Sequence, residues 1–344
     1  MSQSETGQRP RLSPAMADVR RAVRECWEAA GAMAGDLVLV ACSGGADSLA
    51  LAAAAQFEGQ RAGIRVGAVI VEHGLQAQTV EVAAQVKHQL DSLGLEPVQV
   101  RPITVSGGPG SGGVEAAARD ARYAELALAA SQLNAKFVLL GHTLNDQAET
   151  VLLGLARGSG PRSIAGMESI DGLYLRPLLA LTRQTTESFC NDSGLEFWVD
   201  PQNSDPAYTR VRIRKTALPV LETELGPGVA EALARTADLV RTDLEFLDSL
   251  AEQEFSRLAA ISPRQLELAA DQLMSLHQAI RNRVILLALN TFKAGFGKTH
   301  IAAVAELVTN WHGQKELALP GVRVVRHGNT IAFKTPKTFL PGAC

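Results

Sequence analysis

Leu37-Val38-Leu39-Val40-Ala41-Cys42 is an apolar, β-branched run that leads into Ser43-Gly44-Gly45-Ala46-Asp47-Ser48, and Leu49-Ala50-Leu51-Ala52-Ala53-Ala54-Ala55 follows directly. The first run reads as a buried strand and the last as a helix. In the turn between them, glycines permit close backbone approach, and the amides at the helix start offer partial positive charge to an anion. Ser43 and Ser48 add hydroxyl donors. Asp47 cannot face a phosphate without a cation between them, which places Mg2+ at that carboxylate. The competing reading is a plain strand-to-helix turn with Ser48 or Asp47 as N-cap. Gly297-Lys298-Thr299 is not a rival phosphate loop, because Phe292 stands where that motif needs its first glycine.

The chain has 344 residues, 46% of them apolar and 20% charged, which describes a globular protein of two domains with a small appendage. No run of about 18 apolar residues and no signal-peptide pattern is present, so a cytoplasmic protein without a membrane segment is expected. Residues 1–14 are polar and read as a disordered extension. Cys26, Cys42, Cys190 and Cys344 are scattered, which spells neither a zinc knuckle nor an iron–sulfur site. A net charge of −3 gives no bulk attraction to nucleic acid, so such binding must come from a local patch, and Arg210 to Lys215 is one.

In chain order, helices are expected at Met16 to Met33 and Thr79 to Leu93, and strands at Ile64 to Val71 and Val98 to Val100. Alternation of this kind predicts a parallel sheet with right-handed crossovers and ligands at the strands' carboxyl ends. Ser43 and His73 both fall at such ends. Gly108-x-Gly110-x-x-Gly113 matches the dinucleotide fingerprint formally, but Pro109 lies inside it and no acid follows at the required distance, so a mobile loop or lid is the better reading. The next helix, Val114 to Leu133, carries Glu115, Arg119, Arg122 and Tyr123 at helical spacing, which a solvated, ion-paired face would also explain.

Phe137-Val138-Leu139-Leu140 is a further buried strand, and it delivers Gly141-His142-Thr143-Leu144-Asn145-Asp146-Gln147-Ala148-Glu149-Thr150. His142 leaves the strand end, and Asp146 and Glu149 share one face of the following helix. Thr143 capping with acids at the helix's positive end is the purely structural alternative. Convergence of a histidine and two carboxylates on the sheet end that holds the phosphate loop favours an active site. Later come a helix from Thr182 to Cys190 and a strand near Phe197 to Val199. At Arg210 to Lys215, cations alternating with Val211 and Ile213 suit an extended segment or basic edge strand. Beyond Pro219 the strand signals stop, and one apolar stripe runs from Val229 to Phe255. Helices at Leu276 to Leu289 and Ile301 to Trp311 follow, with a closing hairpin at 322–333.

Ser-Gly-Gly-x-Asp-Ser resembles the signature of the PP-loop ATP pyrophosphatases, which split ATP between the α and β phosphates and pass AMP to a substrate oxygen. From about Asp36 to Leu221 the chain resembles the tRNA(Ile)-lysidine synthetase family. The matching residues are Ser43 to Ser48, His73-Gly74-Leu75, Glu115 to Arg119 with Arg122-Tyr123, Gly141 to Thr150, Arg157 to Gly160, Arg176 to Leu179, Asp200-Pro201 with Asn203, and Arg210 to Arg214 with Pro219. The resemblance implies an α/β fold: a parallel-sheet, Rossmann-like PP-loop domain at 15–220, then a smaller helical tRNA-binding domain with a C-terminal hairpin at 221–344. It implies ATP and Mg2+ as cofactors, with free L-lysine and an isoleucine tRNA carrying a wobble cytidine as substrates. ATP would activate the cytidine's C2 oxygen, and the lysine amine would displace AMP. Carried over by residue, ATP meets Ser43, Gly44, Gly45, Ala46, Asp47, Ser48 and His73, with the metal at Asp47. His142 moves a proton, Asp146 and Glu149 receive lysine's ammonium groups, and Arg119, Arg210, Arg212 and Arg214 hold lysine's carboxylate or tRNA phosphates. Asn145 stands where the family usually has Asp, which puts the acid role on Asp146. Glu72, Gln76 and Val211 also depart from the family's usual residues. A homodimer is one open assembly state. The alternatives are a thiolase of the same fold, which would need clustered cysteines, and a nucleotide-binding module without chemistry.

Overall fold

The structure is a computed structural model that describes residues 12–72, 77–103, 114–158, 160–262, 265–292 and 295–335. His73, residues 1–11 and the glycine-rich segment 106–113 lie outside the described residues. Backbone packing divides the chain into residues 1–238 and residues 239–344.

The first unit is built on six strands: β1 (Leu37–Ala41), β2 (Arg65–Glu72), β3 (Val98–Pro102), β4 (Phe137–Leu140), β5 (Ile170–Asp171) and β6 (Tyr174–Leu175). They lie in the order β3-β2-β1-β4-β6-β5, all parallel except β5, which runs antiparallel to β6. The helices are α1 (Pro14–Ala30), α2 (Ala46–Ala62), α3 (Ala77–Ser92), α4 (Val114–Leu133), α5 (Leu144–Arg157), α6 (Pro161–Ile164) and α7 (Arg183–Ser193). Val38, Val40 and Cys42 enter a core shared with α1, α2, α3 and α7. Leu37, Leu39 and Ala41 enter the opposite core with Leu126, Ala129 and Ala130 of α4. Both faces of β1 are therefore covered, which is why its sequence is apolar throughout instead of alternating.

Strand order reverses between β1 and β4, so their carboxyl ends open a crevice between them. The turns after the two strands touch: a Cβ on Gly141 would lie 3.1 Å from the Asp47 carbonyl carbon and from the Ser48 nitrogen. Glycine at 141 is thus the condition for bringing His142 beside the Ser43 loop.

Several expectations are corrected. Residues 210–215 are not extended: α8 (Thr209–Arg212) passes into a π-turn at Ile213–Ala217 and then α9 (Leu218–Leu225). Val211 and Leu218 are both buried, and this seven-residue apolar spacing governs over the two-residue alternation of charge. Phe197 to Val199 form no strand, although the Trp198 amide donates to the Gly44 carbonyl at 2.9 Å. Strands do continue beyond Pro219. After α10 (Val229–Leu258), the second unit contains β7 (Ala259–Ser262), β8 (Gln265–Ala269), β9 (Leu317–Leu319), β10 (Val322–His327) and β11 (Thr330–Lys334), in the antiparallel order β7-β8-β11-β10-β9. The expected hairpin is present as β10 and β11, but inside this larger sheet. Leu266, Leu268, Val322, Val324, Ile331 and Phe333 form its buried face against α11 (Ala270–Ser275), α12 (Gln278–Asn290) and α13 (Lys298–Thr309). Among the described residues no helix is long and apolar enough to cross a membrane.

Gly44 has φ +83°, and a Cβ there would overlap Val86 of α3. Gly44→Ala is expected to lower stability by about 1–3 kcal/mol, from backbone strain and overpacking together. A urea midpoint unchanged from the parent would contradict this.

Candidate active site

The Ser43 loop is braced from within. Ser48 Oγ donates to the Gly45 carbonyl at 2.9 Å and accepts from the Ser43 amide at 3.2 Å. Ser48 is buried by this role, whereas the Ser43 side chain is exposed. Gly45 caps α2 without a side-chain hydrogen bond, so the first amides of α2 point outward with no capping group of their own. This cradle suits an anion such as a pyrophosphate.

Behind it, three carboxylates alternate with two guanidinium groups. Asp47 Oδ1 accepts from the Thr186 hydroxyl, and Oδ2 lies 3.5 Å from Arg183 Nε. Arg183 Nη2 donates to Asp146 Oδ1 at 3.0 Å. The same oxygen lies 3.7 Å from Arg214 Nη2, and Arg214 forks onto Glu149 at 2.7 and 3.2 Å. The chain from Asp47 to Glu149 therefore carries one excess negative charge. Asp146 also serves its helix: Thr143 donates from both its amide (2.8 Å) and its hydroxyl (2.9 Å) to Oδ2. The capping role and the site role are thus divided between the two oxygens of one carboxylate.

These contacts set the proton affinities. Burial pushes the Asp47 carboxyl above its usual range and the Asp146 charge adds to this, while Thr186 and Arg183 pull the other way. Burial also works to raise Asp146, but Arg183, the Thr143 amide and His142 outweigh it and hold Asp146 below the usual range. Asp47 has a lone-pair direction left on Oδ2, whose nearest cation is distant at 3.5 Å. A single carboxylate beside a phosphate cradle fits Mg2+, which is ordinarily held by one or two carboxylates plus substrate phosphates.

On the other side, Arg119, Arg122, Tyr123, His142 and Arg210 line a cavity of about 190 Å3. Burial, together with the charges of Arg122, Arg176 and Arg119, lowers the His142 pKa to about 3 against the opposing pull of Asp146, so the ring is neutral at physiological pH. Its Nδ1 is buried with no hydrogen-bond partner among the described residues.

The structure brings Asp47, His142, Asp146, Glu149, Arg119, Arg210 and Arg214 to one end of the sheet. Arg212 does not join them. Helical spacing puts Arg210 and Arg214 on one face, whereas Arg212 points away and donates to the carbonyls of Pro206 (2.6 Å) and Ala207 (2.8 Å). Val211 fills the core instead of reaching the site. Asn145 Oδ1 accepts from the Arg183 amide at 2.9 Å and so ties α7 to α5. Sequence reasoning did not single out Arg183 or Thr186. A signal was present: Arg183 opens α7 with no acid in the first turn, a cation at the wrong end of the helix dipole unless carboxylates face it.

A PP-loop domain model matches residues 17–221, and a TilS substrate binding domain model matches residues 268–331. The tRNA(Ile)-lysidine synthase of Leifsonia xyli subsp. xyli is 53% identical over 301 residues, covering 87% of this chain and 90% of that protein. The chain belongs to the tRNA(Ile)-lysidine synthase family. A second member, from Thermobifida fusca, is 48% identical and covers 92% of this chain and 95% of its own length. Among solved structures, the U34-tRNA thiolase NcsA from Methanococcus maripaludis shares the fold, with a TM-score of 0.53 at 17% identity over 66% of this chain and 80% of that one. That likeness concerns architecture alone, and among the described residues of this family member no cluster of three or more metal-binding side chains is found.

Glu149 is fully buried against Arg214, so Arg214→Met should destabilise the protein by about 3–5 kcal/mol by leaving a charge unpaired. Arg214→Met/Glu149→Leu should recover most of that loss in the urea midpoint. A double variant no better than the single one would contradict the pairing. For His142, the unfolded chain binds a proton near the ordinary 6.5 and the folded chain only near 3. Between these values the unfolded state holds more protons, so stability rises with pH through this window and levels off above it. His142→Gln should therefore lose less melting temperature than the parent between about pH 7 and about pH 4.5. Parallel curves would contradict the neutral ring.

Proposed function

We propose that this protein ligates free L-lysine to C2 of the wobble cytidine of an isoleucine tRNA, using ATP and releasing AMP and pyrophosphate. The observation that carries this reading is the contact at Gly141, which sets His142 and Asp146 beside the Ser43 phosphate cradle in a chain of this family. Residues 15–220 are assigned to ATP binding and chemistry, and residues 221–344 to tRNA binding, in keeping with the substrate-binding model at 268–331.

In the first step the cytidine O2 bonds to the α-phosphorus and pyrophosphate leaves. The α2 amides and Ser43 hold the departing phosphates. Mg2+ at Asp47, when bound, supplies positive charge to the leaving pyrophosphate. In the second step the lysine side-chain nitrogen bonds to C2, the C2–O bond breaks, and AMP leaves with that oxygen. Asp146 Oδ1 faces the amine, and neutral His142 accepts a proton from it as the new bond forms. Glu149 acts through Arg214, which it fixes beside Asp146. Lys215 and the second unit meet the tRNA backbone.

The direct test is incubation with ATP, labelled lysine and an isoleucine tRNA bearing a wobble cytidine. Label in the tRNA with matching AMP and pyrophosphate supports the ligase. Pyrophosphate release with no label in the tRNA refutes it. Asp47→Asn should lower the rate by roughly 100- to 1000-fold with an unchanged melting temperature, from lost transition-state charge stabilisation. Turnover within about threefold of the parent at saturating Mg2+ would remove the metal role. Asp146→Asn should raise the lysine KM by roughly tenfold, while lysine-independent pyrophosphate release survives. Loss of adenylation with an unchanged lysine KM would transfer Asp146 to the ATP site.

A further inference from the structure

One face of α7 meets the turn that carries Asp47. Arg183, Thr186 and Cys190 share that face at the spacing i, i+3, i+7. Arg183 Nε lies 3.5 Å from Asp47 Oδ2, the Thr186 hydroxyl meets Oδ1, and the Cys190 thiol reaches the Ala46 carbonyl at 3.4 Å. Thr186 is fully buried, where a hydroxyl is costly unless it is bonded and where Val would fill nearly the same space. Its oxygen also lies 2.7 Å from the Arg183 carbonyl, so one proton has two acceptors in reach. The carboxylate takes that proton. The Arg183 carbonyl has its main-chain partner in the helix ladder, and a hydroxyl oxygen set against an ionised oxygen with no proton between them would be repelled. The two oxygens of Asp47 are therefore unequal. Oδ1 is held by a buried hydroxyl, whereas Arg183 sits closer to Asp146 Oδ1, at 3.0 Å, than to Asp47 Oδ2.

We propose that Thr186 sets the metal preference of the ATP site: by occupying Asp47 Oδ1 it leaves only Oδ2 for a divalent cation, and so selects Mg2+ over Ca2+. The proposal rests on the assignment of ATP and a divalent cation to this crevice. Both ions favour hard oxygen ligands, so neither charge nor ligand type separates them. The number of oxygens that one carboxylate offers does. Mg2+ demands near-octahedral geometry and suits a carboxylate that binds through one oxygen, with waters and phosphates filling the other positions. Ca2+ takes more ligands in looser geometry and gains from a carboxylate that binds through both oxygens. A hydroxyl proton on Oδ1 competes with that second contact and leaves the first untouched. Thr186 acts through Asp47 and is in this sense a positioning residue. Its neighbours on α7 keep it in register, because Cys190 packs against the same turn one helical turn further on.

The test is calorimetric binding of the α,β-methylene analogue of ATP to the full-length protein, at saturating Mg2+ and again at saturating Ca2+, which needs no turnover. The parent should bind the Mg2+ complex at least about tenfold more tightly than the Ca2+ complex, the scale of one charge-assisted contact. Thr186→Val removes the hydroxyl and keeps the shape, and it should narrow the ratio to within about threefold, chiefly by tightening the Ca2+ complex. Thr186→Ser restores the hydroxyl and should return the ratio to within about twofold of the parent's. Should Thr186→Val fail to fold by circular dichroism, Thr186→Ala replaces it, with the same narrowing expected. An unchanged ratio in the variant that lacks the hydroxyl makes Thr186 a packing residue and overturns the proposal. So does a Ser variant that behaves like the Val one, because the hydroxyl would then not be the cause. Equal affinity of the parent for the two complexes overturns the selection while leaving the ATP reading intact. A parent that binds neither complex overturns the ATP reading itself.

Discussion

Arg183 stands between two carboxylates that would otherwise repel one another across the ends of β1 and β4. Gly141 brings the two turns into contact, and that contact places Asp47 and Asp146 in one partly dry crevice. Like charges at such separation cannot both stay ionised in a low dielectric without a cation between them. Arg183 supplies it from the first turn of α7, and its main-chain amide is fixed by Asn145. The position of α7, the ionisation of both acids and the width of the crevice are in this way one electrostatic arrangement.

The same arrangement separates two kinds of work. On the β1 side, the α2 amides and Asp47 are suited to phosphates and a divalent cation. On the β4 side, His142 stands neutral between Asp146 and a cavity lined by Arg119, Arg122 and Arg210. Activation of an oxygen by ATP and attack by an amine need opposite electrostatics, because one develops negative charge on phosphate oxygens and the other must strip a proton from a cation. Placing the two halves at a strand-order reversal lets one substrate atom face both.

Much of this was legible in the residues because local patterns and global topology agree. β1 is apolar at every position, and the Ser/Gly turn after it and the Gly-His turn after β4 can only meet if those strands are neighbours. What sequence reasoning lost was the product of long-range contacts. Arg210 to Arg214 alternate like a strand, yet burial of Val211 and Leu218 winds them into a helix, so the three arginines take three different partners. Arg183 and Thr186 carry no local motif; their role exists only because α7 packs beside Asp47. In the second unit, Leu266 and Leu268 do alternate with period two, but a five-residue run is too short to stand out as a strand without the pairing to β11 that defines it.

The most direct measurement is a crystal structure with Mg2+ and the α,β-methylene analogue of ATP, whose bridging carbon blocks cleavage. The expected density has the β- and γ-phosphates on the amides of Gly44 to Ser48, the cation between them and Asp47, and the α-phosphate turned toward His142. Density for the nucleotide away from the Ser43 loop, or a cation held without Asp47, would contradict the assignment of this crevice as the place where ATP is cleaved.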